Sequence, residues 1–348
     1  MTKPQFILYK SKVLKQYQRV REVADFVSYS SKTNPLITPI LEQETDSLFS
    51  IHLMNELKHV KDKSRVLFLA QAWNDEEIQK LVSDGVVYFV VDNESDLDTL
   101  LSFLEKNNAT INLLLRLKLK ENTLRTERYF VFGMNAEVIN RRIKEIHQNQ
   151  NLTSKISQLG IHFHRKSQNM SEWNYQYEII HSLDDDTLNA ISLINIGGGL
   201  PAEYANTNVQ VVGVILQKIQ ELRQWLHRKN VLLMLEPGRF IAAPAIKLVT
   251  NIIGIHENNI IVNASVYNSD MDALIVPVKL LVEGEVDTEH GDPYVIKGIT
   301  PCSMDLFRYR VYLHNPKVGD QLVFLNAGAY NFTTEFCDLE KIETKVVE

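Results

Sequence analysis

A lysine that follows a short apolar run is the first residue in this sequence that could do chemistry. Residues 26–29 have the bulky composition of a buried strand, and the Asn-Pro pair at 34–35 cannot extend it. In a (β/α) barrel that strand end carries the active site, and a lysine held there among apolar walls loses part of its proton affinity. Lys32 is therefore a candidate Schiff-base nucleophile. The alternative is a solvated surface cation, one of 37 Lys and Arg residues.

A glycine triplet comes directly after the apolar run 192–196. Gly197, Gly198 and Gly199 are free to adopt unusual φ angles, so successive backbone N–H groups can point at one anion such as a phosphate. A plain tight turn is the alternative. The spacing matches neither a dinucleotide-binding fingerprint nor a P-loop.

The run Glu236-Pro237-Gly238-Arg239 follows another apolar stretch, residues 231–235. Glu236 and Arg239 could simply form a surface ion pair. At a barrel mouth they could instead serve two parts of one ligand, the carboxylate a ring nitrogen and the guanidinium a phosphate.

Three other sites carry reactive side chains. His162 and His164 lie on one face of a predicted strand and could form half of a zinc site, but no third ligand stands at a suitable spacing, so we predict no metal. Cys302 lies in a loop with Asp305. Tyr330 follows the predicted strand 322–325.

Short apolar runs alternate with amphipathic stretches over most of the chain. The predicted strands are 26–29, 65–69, 86–91, 111–116, 160–164, 192–196 and 231–235, and the predicted helices include 11–23, 74–83, 136–148 and 209–229. This alternation predicts a parallel sheet with helices outside, and eight units would close a (β/α)8 barrel of the TIM type. We assign the missing eighth strand to residues 47–50, before a predicted helix at 53–60.

The pattern changes after about residue 243. Strand-like runs separated by Asn, Asp and Gly follow at 246–255, 260–267, 273–282, 294–297 and 322–325, with hardly a helical pattern among them. The sequence thus predicts an α/β barrel domain over residues 11–243 and an all-β domain, a sandwich or barrel-like sheet, over 244–348. The N-terminal run 1–10 is assigned to the second domain because its strand must pair somewhere.

Composition excludes several classes of protein. The 348 residues are 45% hydrophobic and 23% charged, which is typical of a globular enzyme. A net charge of −6 argues against nucleic acid as a partner, and two cysteines cannot form a disulfide framework. We see no signal-peptide pattern and no membrane-spanning stretch, so the expected compartment is the cytoplasm.

Taken together and in this order, the motifs from about residue 6 to residue 330 resemble those of the pyridoxal-phosphate decarboxylases of the alanine-racemase fold type, which include ornithine, arginine and diaminopimelate decarboxylases. The resemblance implies that Lys32 carries the cofactor as a Schiff base, that His164 stacks on its ring and that Glu236 faces the ring nitrogen. It also implies a homodimer in which Cys302 of the second subunit protonates the carbanion. The residues it assigns to cofactor binding are Lys32, His164, Ser167, Gly197, Gly198, Gly199, Glu236, Gly238, Arg239 and Tyr330, and those it assigns to the substrate are Asp305, Arg308 and Tyr267.

A glutamate at the ring nitrogen favours decarboxylation, because a ring that stays protonated accepts the carbanion's electrons best. Racemases of the same fold place an arginine there. A racemase, a catalytically inactive binding homologue, and a metal or dinucleotide enzyme remain alternatives.

The chain departs from the family pattern at three places. Arg165 and Lys166 precede Ser167 where the family has glycine, Cys302 and Asp305 are three residues apart instead of four, and Ala264 stands where diamine-forming members carry an aspartate. With Arg308 and Arg310, these changes favour a substrate with an anionic or bulky tail, such as an aminocarboxypropyl group, a siderophore precursor or a carboxylated polyamine, in a biosynthetic pathway. A basic amino acid or diaminopimelate is the alternative.

Overall fold

The computed structural model describes residues 2–119, 131–164, 174–207 and 209–348, which form two compact units. The barrel unit comprises Tyr17–Leu200 and Val211–Gly238. The strand-rich unit comprises Met1–Gln16, Pro201–Gln210 and Arg239–Glu348.

The chain starts with strand β1 (Gln5–Tyr9) and helix α1 (Lys10–Arg21). The strands of the barrel unit then follow as β2 (Phe26–Ser30), β3 (Leu48–Ile51), β4 (Val66–Ala70), β5 (Tyr88–Val91), β6 (Ile111–Arg116), β7 (Ile156–His162), β8 (Leu193–Asn195) and β9 (Leu232–Leu235). They close in sequence order into a parallel barrel, so the predicted fold class is confirmed. The strand expected at 47–50 is β3, and it supplies the eighth unit.

The helices of the barrel unit are α2 (Thr38–Glu44), α3 (Asp75–Ser83), α4 (Glu94–Lys106), α5 (Ala136–Gln148), α6 (Gln150–Thr153), α7 (Tyr175–Ser182), α8 (Asp185–Ala190) and α9 (Val212–His227). Local sequence explains where they begin. Asn74 accepts the N–H of Glu77 and Glu77 accepts the N–H of Asn74, a capping box that starts α3 with Ile78 and Leu81 facing inward. Short 3-10 turns cover Ser31–Thr33, Met54–His59 and Lys63–Arg65, so the helix predicted at 53–60 is a 3-10 helix.

Apolar side chains from six of the eight barrel strands form a buried cluster. The buried members of this cluster are Leu48, Leu67, Val90, Leu114, Leu193 and Met234. Side chains of this kind make the barrel a packed core, and the chemistry is left to the polar residues at the strand ends.

The strand-rich unit contains a sheet in the order β12, β15, β10, β11, β13, β14. Its strands are β10 (Ile246–His256), β11 (Asn259–Val262), β12 (Leu281–Val282), β13 (Asp292–Lys297), β14 (Leu306–Leu313), β15 (Gln321–Leu325) and β16 (Glu343–Val347), and its helices are α10 (Arg239–Ala245), α11 (Val266–Ser269) and α12 (Met271–Ile275). Strand β1 pairs antiparallel with β10 and parallel with β16.

Two of the predicted strands in this unit are wrong. The run predicted at 260–267 stops at Val262, and α11 begins after Ser265, whose hydroxyl accepts the N–H of Tyr267 while Asn268 accepts the N–H of Ser265. The run predicted at 273–282 is helix α12 followed by only the two-residue strand β12. At α11, side-chain capping thus overrides strand propensity. Strands β14 and β16 are not predicted from the sequence.

No helix within the described ranges has the length and apolar character needed to cross a membrane.

Candidate active site

Lys32 lies at the C-terminal end of β2, in the 3-10 turn Ser31–Thr33. The loop after β9 packs against this turn: Ser30 donates its N–H to the carbonyl of Pro237 at 3.1 Å. A Cβ added at Gly238 would meet Thr33 Oγ1 at 2.2 Å, so only glycine permits this approach. The two runs singled out in the sequence, at Lys32 and at Glu236, therefore meet at one end of the barrel.

The amine of Lys32 lies in a polar cluster from neighbouring strand ends. Its Nζ is 3.1 Å from Nε2 of His52, the residue that follows β3. Although solvent reaches Lys32, desolvation by the surrounding protein lowers the pKa of its amine, and the charge of Arg116 acts in the same direction against Glu236 and Glu56. The environment therefore favours the uncharged, nucleophilic form of the amine.

Glu236 follows β9 and is only 7% exposed. Its Oε1 accepts a hydrogen bond from Asn195 Nδ2 at 2.6 Å and lies 3.1 Å from His162 Nε2. Burial alone would raise the pKa of this carboxyl, but His162 and the hydroxyl of Ser50 outweigh burial and lower the pKa to about 2. Glu236 is thus a buried carboxylate that stays ionised at any physiological pH.

His164 and the glycine turn are joined by a hydrogen bond. Gly198 donates its N–H to Nδ1 of His164 at 3.0 Å, and Gly197 donates its N–H to Oδ1 of Asn195 at 2.9 Å. Solvent reaches His164, yet desolvation on its protein side lowers its pKa. Gly197 has a φ of +69°, and a Cβ there would meet His164 Nδ1 at 2.6 Å. Two N–H groups of the predicted phosphate turn therefore already have protein acceptors.

His162, the last residue of β7, and His164, two residues past it, have different partners: His162 contacts Glu236, and His164 contacts the glycine turn. Across the described residues, no three His, Cys, Asp or Glu side chains are grouped as a metal site requires. Ser167, predicted to bind phosphate, and its neighbours Arg165 and Lys166 lie outside the described residues.

Arg239 lies in the strand-rich unit within a cluster of aromatic and acidic residues. Its guanidinium pairs with both oxygens of Asp272, one at 3.0 Å, and donates to the Tyr204 hydroxyl at 2.9 Å. The ring of Tyr330 lies 5.3 Å from the guanidinium carbon. The structure thus brings together Arg239 and Tyr330, the two residues of this unit predicted to bind phosphate, with the arginine already bound to a carboxylate.

Cys302 lies in a loop of the same unit, with its Sγ 3.4 Å from the Tyr267 hydroxyl. The hydrogen bond with Tyr267 lowers the pKa of the Cys302 thiol. Asp305 organises this loop: one of its oxygens accepts the N–H of Val266 at 2.9 Å and the other accepts the hydroxyl of Thr300 at 2.7 Å. Asp305 is buried, so within this unit its role is to hold the loop that presents the thiol.

Arg308, a predicted substrate contact, has a buried side chain that donates to protein acceptors. It forms a two-bond pair with Glu285, at 2.8 and 3.2 Å, and donates to the carbonyl of Leu280 at 2.7 Å. The structure places this cation inside an ion pair, where it supports the sheet.

Three polar residues of the barrel site are not predicted from the sequence. His52, Arg116 and Asn195 each stand at or just past the C-terminal end of an apolar strand, namely β3, β6 and β8. Arg116 pairs with Asp92 at 3.1 Å. A polar residue that ends an otherwise apolar barrel strand is the signal that would have found them.

The residues of the barrel unit fit a pyridoxal phosphate. An aldehyde reacts with an uncharged amine, a form that the lowered pKa of Lys32 favours, and a protonated ring nitrogen needs a fixed anion, which Glu236 offers. Buried Nδ1 atoms of His52 and His162 have no partner among the described residues, as expected of a site built to receive a polar ligand.

The closed parallel barrel, with Lys32 and the buried carboxylate of Glu236 at one end, has the arrangement expected of a pyridoxal-phosphate enzyme of the alanine-racemase-like fold. The family model for the pyridoxal binding domain of pyridoxal-dependent decarboxylases matches residues 10–243. The chain belongs to this family and is a pyridoxal-phosphate-dependent amino-acid decarboxylase. The predicted family, enzyme class and cofactor are confirmed.

Individual relatives are distant. A 2-[(L-alanin-3-ylcarbamoyl)methyl]-2-hydroxybutanedioate decarboxylase of Staphylococcus aureus is 24% identical over 80% of this chain and 75% of its own length. A diaminopimelate decarboxylase of Bacteroides thetaiotaomicron is 22% identical over 93% of this chain and 90% of its own.

Among solved structures, a lysine/ornithine decarboxylase of Vibrio vulnificus in complex with putrescine is similar to this chain with a TM-score of 0.79 and 22% identity. The match covers 99% of this chain and 94% of that one. At this identity the likeness shows the fold.

Proposed function

We propose that this enzyme removes the α-carboxylate of an amino acid, or of an amino-acid-derived biosynthetic intermediate, with pyridoxal phosphate attached to Lys32. The observation that carries the proposal is that the Lys32 turn and the Glu236 loop pack against each other at one end of the barrel. The lowered pKa of Lys32 and the buried, ionised carboxylate of Glu236 suit the two functions that the cofactor requires.

When bound, pyridoxal phosphate supplies an electron sink for the carbanion that loss of CO₂ leaves. Glu236 supports that sink because a carboxylate with a pKa of about 2 holds the proton on a ring nitrogen. His162 and Asn195 fix its orientation through their hydrogen bonds to Oε1. This favours decarboxylation over racemisation, for which the nitrogen is better left unprotonated.

We further propose that His164 stacks on the cofactor ring, and that Gly199, with Gly197, Gly198, Gly238, Ser167, Arg239 and Tyr330, contributes to phosphate binding. The N–H groups of Gly197 and Gly198 already donate to Asn195 and His164, so the support from this turn is the φ of +95° at Gly199, a backbone conformation that favours glycine. The position of Tyr330 at 5.3 Å from Arg239 supports a joint role for these two.

Borohydride reduction tests the attachment site. The purified protein should be yellow, and reduction should fix the cofactor to one peptide, the one that contains Lys32. Label on another lysine would refute the assignment.

For the substrate we propose an amino acid whose far end is anionic or bulky. Ala264 is buried and offers no carboxylate to a distal ammonium. The Staphylococcus aureus relative, by its name, acts on an alanine joined to a hydroxybutanedioate, whose far end is anionic. Arg308 does not support this proposal, because Glu285 neutralises it.

The second candidate substrate class is diaminopimelate or a basic amino acid. The similarity to the diaminopimelate decarboxylase from Bacteroides thetaiotaomicron supports this class. Release of CO₂ from L-ornithine, L-lysine, L-arginine, meso-diaminopimelate and the hydroxybutanedioate conjugate should separate the two. We expect the conjugate to react best, whereas a preference for meso-diaminopimelate would favour the second class. Efficient turnover of ornithine, lysine or arginine would overturn the anionic-tail proposal.

We also propose a homodimer in which Cys302 serves the partner's active site as proton donor. The half-exposed thiol, polarised by Tyr267, is support for this role. Mixing Lys32→Ala with Cys302→Ala subunits should restore about a quarter of full activity, because random pairing leaves one intact site in half of the dimers. No recovery despite confirmed subunit exchange would contradict shared sites.

A further inference from the structure

The alignment of two barrel strands fixes His52 beside Lys32. Strands β2 and β3 run parallel with Ser30 opposite Ser50. Lys32 and His52 each stand two residues beyond this pair, so the two residues lie at the same height along the barrel. The separation of 3.1 Å between Nζ and Nε2 is thus a consequence of strand register.

The second nitrogen of His52 indicates which ring nitrogen carries the proton. Nδ1 is buried and has no hydrogen-bond partner in the part of the chain that the structure describes. A neutral imidazole has one N–H and one acceptor nitrogen. A proton on Nδ1 would leave a buried N–H unpaired, which is rare, whereas a proton on Nε2 leaves only an unfilled acceptor.

The charges around the pair agree with an uncharged imidazole at His52. Desolvation lowers the pKa of His52 to about 4, and Lys32, His162 and Arg116 act in the same direction against Glu236. Glu56 lies on the other side, with its Oε2 3.5 Å from the backbone nitrogen of His52. Two cations 3 Å apart would repel strongly, so the two groups do not both carry a charge.

We propose that His52 is a positioning residue for Lys32, whose Nε2–H donates to the lone pair of Nζ and holds the amine uncharged and in place until it reacts. The inference deepens the proposed function and rests on Lys32 being the amine that takes the cofactor aldehyde. An ammonium has no lone pair to attack with, so a neighbour that donates a hydrogen bond to Nζ increases the reactive fraction.

The test is the pH dependence of Lys32 modification in cofactor-free protein. Reductive methylation is followed by mass spectrometry of the peptide that contains Lys32, with exposed Lys58 in the same digest as the reference. His52→Phe keeps a ring without the N–H, and should raise the pKa of Lys32 by about one unit, a roughly tenfold slower modification at neutral pH. His52→Gln, whose amide still donates, should stay close to wild type.

An unchanged pKa of Lys32 in His52→Phe would overturn the proposal, and a lowered one would show that His52 accepts from an ammonium instead. His52→Leu is measured in parallel in case the larger ring disturbs folding. In wild-type protein with ¹⁵N-labelled histidine, His52 is assigned as the signal that is lost in His52→Gln, and a proton on Nδ1 at neutral pH would also overturn the proposal. Borohydride label on another lysine would refute the proposed function while leaving the titration of Lys32 readable.

Discussion

The buried polar groups of the barrel unit and of the strand-rich unit differ in how completely they are paired. At the barrel end, Nδ1 of His52 and of His162 are buried without partners in the described part of the chain, and the amine of Lys32 has a lowered pKa. In the strand-rich unit, the donors of Arg308 and the oxygens of Asp305 are engaged by neighbouring groups. Unpaired buried groups cost stability, so a protein retains them where a ligand will use them.

The cluster around Arg239 lies between these extremes. The arginine is paired with Asp272, but Oδ2 of nearby Asp270 is buried and has no partner among the described residues. We therefore expect three kinds of response to substitution. Changes at the barrel end should reduce activity, a change at Arg308 should reduce stability, and a change at Asp270 should increase stability.

The largest effect is expected at Lys32. Lys32→Ala removes the only nucleophile that the proposed function assigns, and activity should fall by at least about 10⁴-fold. Steady-state CO₂ release measures it, with exposed Lys58→Ala as the matched control that should keep wild-type activity. A Lys32→Ala enzyme within tenfold of wild type would place the chemistry elsewhere.

Glu236→Gln should be the next most damaging change. The amide keeps the shape but cannot hold a proton on the ring nitrogen, so kcat should fall about a hundred- to a thousandfold with little change in KM. The exposed Glu221→Gln on α9 is the control. If kcat of Glu236→Gln stays within threefold, the carboxylate is not the partner of the ring nitrogen.

The barrel could be predicted because its signals are local and repeated. Each strand is an apolar run followed by an amphipathic helix, and the reactive residues Lys32 and Glu236 stand at strand ends that the sequence itself marks. The apolar run of β3 is short, and it is identified as a strand only because a barrel of this class needs eight strands to close.

The strand-rich unit could not be predicted as well, because its elements depend on distant partners and on single caps. Helix α11 exists because Ser265 and Asn268 exchange hydrogen bonds. Likewise, the sequence shows Arg308 as a cation near Cys302, but only the fold reveals that Glu285 neutralises it. The contact of His52 with Lys32 arises from the register of two strands, which composition does not report.

Arg308→Met should cost stability and leave substrate preference unchanged. Removing Arg308 leaves the partly buried Glu285 carboxylate without its partner, which lowers the free energy of unfolding by about 2 kcal/mol. Thermal denaturation measures this, and the ratio of kcat/KM between meso-diaminopimelate and L-ornithine measures preference. The double variant Arg308→Met/Glu285→Leu should regain part of the loss. A stable Arg308→Met enzyme with an altered ratio would return this arginine to the substrate site.

The smallest effect, and the only gain, is expected at Asp270. Burial, and then the charge of Asp272, raise the pKa of its carboxyl to about 8. The folded state therefore keeps a proton that the unfolded state releases above its ordinary pKa near 4, so this group lowers stability progressively as the pH rises from about 4 to 8. Asp270→Asn mimics the protonated acid and should raise the free energy of unfolding at pH 8 by about 1 kcal/mol, with little gain at pH 4. Denaturant unfolding at the two pH values measures the difference, and a destabilised variant at pH 8 would mean that Asp270 is ionised and bound in the folded enzyme.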